Sequence, residues 1–146
     1  MDQITISLGI KKIKEQEFFV DEALDFDLAK GVNINFEVTT NIKKEDTTVE
    51  ILITTTFSDK NESKPFLRIK VSNVFLLPEV LSLPQPEKDA FKLPNDLLVT
   101  LLSLSISHSR ALLAKNVLGT RFQEVYIPIV NPTEVAGKLF GFGNSK

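Results

Sequence analysis

Apolar and polar residues alternate with a two-residue period through much of the first half of the chain. Val32, Ile34, Phe36, Val38 and Ile42 keep the period, and Thr40 is the one polar residue in the row. Val49, Ile51, Ile53, Thr55 and Phe57 repeat it with threonine-rich positions between. In Phe66 to Phe75, Leu67, Ile69 and Val71 face one way and Arg68, Lys70 and Ser72 the other. Such alternation predicts strands with one buried face. The first segment, Ile4 to Asp27, starts the same way with Ile4, Ile6, Leu8 and Ile10, then slips in phase near Lys11. A phase slip inside a strand predicts a bulge or bend. Lys43 to Asp46 and Ser58 to Lys64 are polar turns. Connections this short require antiparallel pairing, because parallel strands need a crossover of a dozen or more residues.

The pattern then changes. Leu76 to Pro94 holds Pro78, Pro84, Pro86 and Pro94, yet carries Leu76, Leu77, Val80, Leu81, Leu83, Phe91 and Leu93. Proline resists regular structure, and a long apolar connection of this kind is often functional. Asn95 or Asp96 is the expected N-cap of a helix running to about Leu118, with Gly119 at C′. Leu98, Leu101, Leu102, Ser105, Ser109, Leu112, Leu113 and Asn116 track one broad face of it. Serines at 103, 105, 107 and 109 compete for backbone hydrogen bonds, but their size lets another helix come close. Val125, Ile127 and Ile129 alternate like a short strand. Asn131, Pro132 and Glu134 have the N-cap, N1 and N3 chemistry of a last helix, which carries Val135, Leu139 and Phe140 and ends at Gly141. The expected fold is α+β: a four-stranded antiparallel sheet packed on a long helix plus a short last helix, over residues 1–146 as one domain.

Composition narrows the chemistry. The net charge is −2, from 17 basic and 19 acidic residues, which is not the basic footprint of a nucleic-acid binder. There is no cysteine, so disulfides and thiolate metal sites are excluded. No secretory signal pattern stands in MDQITISLGIKKIK, and no run approaches the ~18 apolar residues of a membrane span. A cytoplasmic protein without membrane insertion is expected. His108 is the single histidine and reads as a structural or surface residue, since one His does not build the usual metal set. No nucleophile triad, Gly-x-Ser-x-Gly turn or glycine-rich phosphate loop is present, so neither an enzyme nor a cofactor is expected. Glu15, Glu17, Asp21, Glu22, Asp25 and Asp27 form an acidic cluster. It reads as a solvated strand end, a docking patch for a basic partner, or a metal or catalytic site. Eleven phenylalanines stand against one tyrosine and no tryptophan. Phe lacks a polar handle and wants a core or an apolar groove.

Several segments resemble the SecB family of export chaperones. The run KIKEQEFFVDE, Lys12 to Glu22, resembles the family's first strand. Lys64-Pro65-Phe66-Leu67, running into Val74-Phe75, is similar to its third-to-fourth-strand hairpin. Gly119-Thr120, Pro128, Asn131 and Leu139-Phe140 follow in the family's order and spacing. Ser72-Asn73 replace the glycines usual before the fourth strand's aromatic, and Arg110 stands one residue from the family's helix arginine. That offset is ~100° on a helix, so no role is transferred to Arg110. The resemblance implies an ATP-independent holdase that assembles as a dimer of dimers and binds unfolded polypeptide in an apolar groove beside the sheet. Phe75, Leu77, Leu81, Leu83, Tyr126 and Leu139 are the implied client-binding residues. The alternative for these six is that they close the core. Glu17 and Asp21 match acidic positions that dock on the SecA motor. The third such position falls among Arg68, Ile69 and Lys70, so tight SecA docking is not expected. A dedicated partner-binding protein with one client, such as an antitoxin, is the alternative function on the same fold.

Overall fold

The computed structural model describes residues 7–25, 27–60, 63–78 and 93–141. The four expected strands are present as β1 (Gly9–Val20), β2 (Val32–Lys43), β3 (Thr48–Asp59) and β4 (Pro65–Leu76). They form one antiparallel sheet in the order β1-β4-β3-β2. A 3-10 turn at Leu28–Lys30, capped by the Asp27 side chain, joins β1 to β2. Helices α1 (Asn95–Val117) and α2 (Pro132–Phe140) follow.

The alternation fixes which side of the sheet is apolar. Ile34, Phe57 and Leu67 are cross-strand neighbours, and so are Val38, Ile53 and Val71. These rows face α1, which packs on β3 and β4. The phase slip near Lys11 is a register shift between Ile10 and Lys12. A second shift, between Glu15 and Glu17, keeps Phe18 and Val20 on the helix side. The sequence pattern did not signal this second shift. Another shift, at Phe57/Ser58, skips Phe66 in the β3–β4 register, and its side chain is fully buried in the core. Its ring centroid lies 6.3 Å from that of Phe57 and 6.3 Å from that of Phe122.

Three local expectations are corrected. The N-cap of α1 is Pro94 and makes no side-chain cap bond, so neither Asn95 nor Asp96 caps it. The buried stripe of α1 is Leu97, Leu101, Leu102, Ser105, Ile106, Ser109, Leu113 and Val117. Leu98, Leu112 and Asn116 lie at its half-buried margin. Val125 to Ile129 form no strand and pair with none among the described residues. Gly119 and Gly141 have φ of +79° and +77°, the left-handed conformation expected just past a helix end. Asn131 caps α2, accepting from the N–H groups of Thr133 and Glu134 at 2.9 and 3.2 Å.

A buried polar pair ties α1 to the sheet. Asn73 interrupts the apolar row of β4 and is fully buried. Its Nδ2 donates to the Ile51 carbonyl at 3.0 Å, which leaves Oδ1 as the acceptor for His108 Nδ1 at 2.7 Å. The His108 ring stacks against Phe75. Burial holds the His108 pKa below its ordinary value. The unfolded chain therefore takes up the proton first as pH falls through about 6.5, and stability declines below that point. The urea midpoint is expected to fall between about pH 7.5 and pH 5.5, and the His108→Gln variant is expected to show a shallower fall over the same window. The end of the core beside His108 contains Val49, Ile51, Phe75, Leu77, Leu93, Leu97 and Leu101. Leu77 is fully buried there, so Leu77→Ala is expected to lower the unfolding free energy by about 2–5 kcal/mol, read by urea denaturation.

Candidate functional site

One helix does not cover four strands. On the helix side of β1, Ile10 is 52% exposed and Ile13 is 42% exposed. At the other edge Val32, Ile34, Phe36, Val38 and Ile42 of β2 are only half-buried. Val135, Leu139 and Phe140 of α2 pack, also half-buried, on the cluster that receives Val32 to Val38. Together these half-buried residues of β2 and α2 form an apolar shelf at the margin of one core cluster.

The two sheet edges differ. β1 has two register shifts and the charged residues Lys11, Lys12, Lys14, Glu15 and Glu17. Bulges and charges of this kind protect an edge from further pairing. β2 pairs with β3 over all of its 12 residues without a register shift. It contains no proline, and Glu37 and Lys43 are its charged residues. Among the described residues no strand pairs with its other edge, which presents a regular row of backbone donors and acceptors next to apolar side chains.

The segment before α2 forms a strap along α1. Val125 and Ile127 are buried, while Tyr126 is 56% exposed and Ile129 is 93% exposed. Arg110 holds the strap, Nε donating to the Ile127 carbonyl at 2.8 Å and a terminal nitrogen to the Pro128 carbonyl at 2.7 Å. A charged donor on two carbonyls replaces the missing ladder. A hollow of about 190 Å³ opens between α1 and the strap, lined by Ser103, Ser107, Arg110 and Ile129 among others.

Of the six residues expected to line a client groove, four lie within the described residues. Phe75 and Leu77 are fully buried at the far end of β4 and present no surface. Phe75 belongs to the helix-side row of β4, and Leu77 carries that row on into the core. Leu81 and Leu83 lie outside the described residues. Tyr126 on the strap and Leu139 on α2 are accessible or partly so. The half-buried row of β2, which sequence reasoning assigned to the core, belongs with them. The signal that could have found it was strand count: a sheet of four strands opposite one long helix leaves a margin.

The acidic cluster is partly structural. Asp21 accepts from Ala23 N–H at 3.0 Å, and Asp27 from Ala29 N–H at 3.0 Å. Arg121 donates to the carbonyls of Asp21, Glu22 and Leu24. Asn116 reaches Glu15 at 2.6 Å. Glu17 forms an exposed ion pair with Arg68 at 3.6 Å. Glu17 and Asp21, which match the acidic docking positions by resemblance, thus each have a partner inside the chain. Among the described residues no three His, Cys, Asp or Glu side chains group as metal ligands. The sequence reading found no run long and apolar enough to span a membrane; by length and composition α1 reaches that limit. The serines break the apolar run without lowering its average below the limit. Only 39% of its most apolar stretch is buried within the subunit.

No protein-family model matches the chain, and no curated protein matches it by sequence. Among solved structures the chain is similar to the SecB-like chaperone Rv1957 of Mycobacterium tuberculosis, in complex with a ChAD peptide from the Rv1956 HigA1 antitoxin. The TM-score is 0.56 at 9% identity, over 84% of this chain and 89% of that one. A protein of unknown function from Streptococcus agalactiae aligns over 86% of this chain and 100% of its own, with TM-score 0.39 and 14% identity. The four-stranded antiparallel sheet with one long and one short helix is a SecB-like fold.

Proposed function

We propose that this chain is an ATP-independent, SecB-type chaperone of the cytoplasm that holds unfolded polypeptide on the shelf formed by β2 and α2. The observation that carries this reading is the regular, unprotected edge of β2 beside a half-buried apolar row. An extended client adds its backbone to the edge and lays alternate side chains on the shelf, the usual mode of strand addition. Tyr126 and Leu139 extend the apolar surface along the strap and α2. The antitoxin peptide named with the similar Mycobacterium chaperone supports a polypeptide client. It also favours the second reading, in which one dedicated client is bound. Neither reading involves catalytic turnover or a cofactor, and neither relies on SecA: Glu17 is shared with Arg68, and Lys70 lies beside it on the sheet.

The test is suppression of light scattering from several unrelated urea-unfolded proteins after dilution. A holdase suppresses most of them at near-stoichiometric ratios. Suppression of one alone gives the dedicated reading, and suppression of none removes both. Tyr126→Ala is expected to weaken binding of an unfolded client while the unfolding free energy from urea denaturation stays within about 0.5 kcal/mol of wild type.

The oligomer follows from α1. Thr100, Ser107, Ala111, Ala114 and Leu118 are exposed along it and Leu104 is half-buried. Together they give a face of small and apolar residues over the length of the helix. A second copy covers this face, and two such dimers give the expected homotetramer. Sedimentation at micromolar concentration is expected to show a tetramer; a monomer there refutes this assembly.

A further inference from the structure

The side of the sheet away from α1 has its own character. Its rows run Lys12, Val74, Glu50, Asn41, then Lys14, Ser72, Leu52, Thr39, then Glu17, Lys70, Thr54, Glu37. Lys12 and Lys14 are exposed, as is Lys43 in the next row. Lys11, at the bulge, and Lys43 line a half-open cavity of about 270 Å³ together with Lys12, Asn41, Thr48, Glu50 and Asp46. Glu50 is engaged from within: Ser72 donates its hydroxyl, and Asn41 Nδ2 donates at 3.0 Å. With Lys43 adding its charge, these bonds hold the Glu50 carboxyl ionised and its pKa below the ordinary value. The carboxylate is therefore already satisfied by neutral donors. Lys11, Lys12, Lys14 and Lys70 make no ion pair with a described residue. In a chain of net charge −2, a sheet face with this many uncommitted cations is a local inversion of sign.

We propose that this face docks an acidic segment of a partner polypeptide, extended along β1, with alternate carboxylates over Lys12 and Lys14 and a further carboxylate over the cavity lined by Lys11 and Lys43. Residues two apart on a strand stand about 7 Å apart on one face, so Lys12 and Lys14 match carboxylates at alternate positions of an extended chain. Asn41 and Thr48, which line the same cavity, stand as neutral polar groups beside the third carboxylate. Nucleic acid fits less well. Asp46 and Glu50 stand among the lysines, and Phe19, the aromatic in the row of Arg68, already lies under that guanidinium at 5.7 Å, which removes it as a stacking platform for bases. This surface is on the opposite side of the sheet from the client shelf and does not depend on it.

The probe is a fluorescein-labelled peptide of alternating Glu and Ser, about a dozen residues long. Without apolar side chains it has nothing to bury on the client shelf. Fluorescence anisotropy at low salt is expected to show binding that weakens steeply as salt is added. A matching Lys-Ser peptide is expected not to bind. The double variant Lys12→Glu, Lys14→Glu is expected to lose roughly tenfold or more in affinity, with an unchanged circular-dichroism spectrum and unchanged suppression of aggregation. Absence of acidic-peptide binding overturns the proposal. So does equal binding by the double variant, or a single-stranded RNA that binds more tightly than the peptide. Each of these outcomes leaves the client reading standing, and loss of holdase activity in wild type leaves this one standing.

Discussion

The structure depends on a mismatch of widths. Strands sit about 4.8 Å apart, so four of them span roughly 14 Å between the outer backbones, and their side chains reach further. A helix with its side chains is about 10–12 Å across. One helix laid over β3 and β4 completes the core there and leaves both outer strands with a partly covered apolar row. Where the cover is full, Val49, Ile51, Ile53, Ile69 and Val71 are sealed from solvent. Where it thins, Phe36 and Val38 are half-open, and Ile10 and Ile13 are exposed. A second long helix would have closed the core. The short α2 and the strap supply only part of that cover.

The two edges resolve this exposure differently. β1 is bent by two bulges and charged, so pairing there is discouraged. β2 is straight in register, and its backbone edge is left open beside apolar side chains. An exposed edge of that kind is an aggregation hazard unless something occupies it. The fold tolerates the hazard at one edge and suppresses it at the other, which fits a surface kept for an extended chain better than a defect of packing.

Much of this was legible from period alone. The helix-side rows of β2, β3 and β4, the bulge near Lys11, Gly119 as a helix stop and the Asn131-Pro132 start all follow from local chemistry, and each has a local cause. What escaped was set by pairs distant in the chain. The Asn73–His108 bond spans 35 residues and the Arg121 clamp on the Asp21 carbonyl spans 100, and neither leaves a mark in any short window. The strap misled because alternation needs only one buried side: Val125 and Ile127 are buried against α1 and its neighbours without a strand partner. Phe75 and Leu77 are buried for the converse reason: Phe75 stands in the helix-side row of β4, and Leu77 carries that row into the core past the last ladder pair. The shelf itself was hidden because residues of β2 buried halfway look, in sequence, the same as residues buried fully.

On the proposed client reading, selectivity for non-native chain follows from magnitudes. Full burial of a Leu or Phe contributes about 1.5–3 kcal/mol, and a half-open shelf returns only a fraction of that. Fixing the backbone of each client residue costs about 1–2 kcal/mol. A side chain laid on the shelf therefore comes close to balancing the ordering of its own residue, and no single side chain gives tight binding. Each backbone hydrogen bond to β2 adds a net ~0.5–1.5 kcal/mol, and it does so for any sequence. The sum becomes favourable only over a run of several extended residues with apolar side chains on one face. A folded protein has already paired such a run inside its own sheet or buried it in its own core. An unfolded one has not. On this reading discrimination between folded and unfolded needs no recognition sequence, because the same weak terms that leave β2 uncovered within the subunit make it indifferent to which unfolded chain arrives.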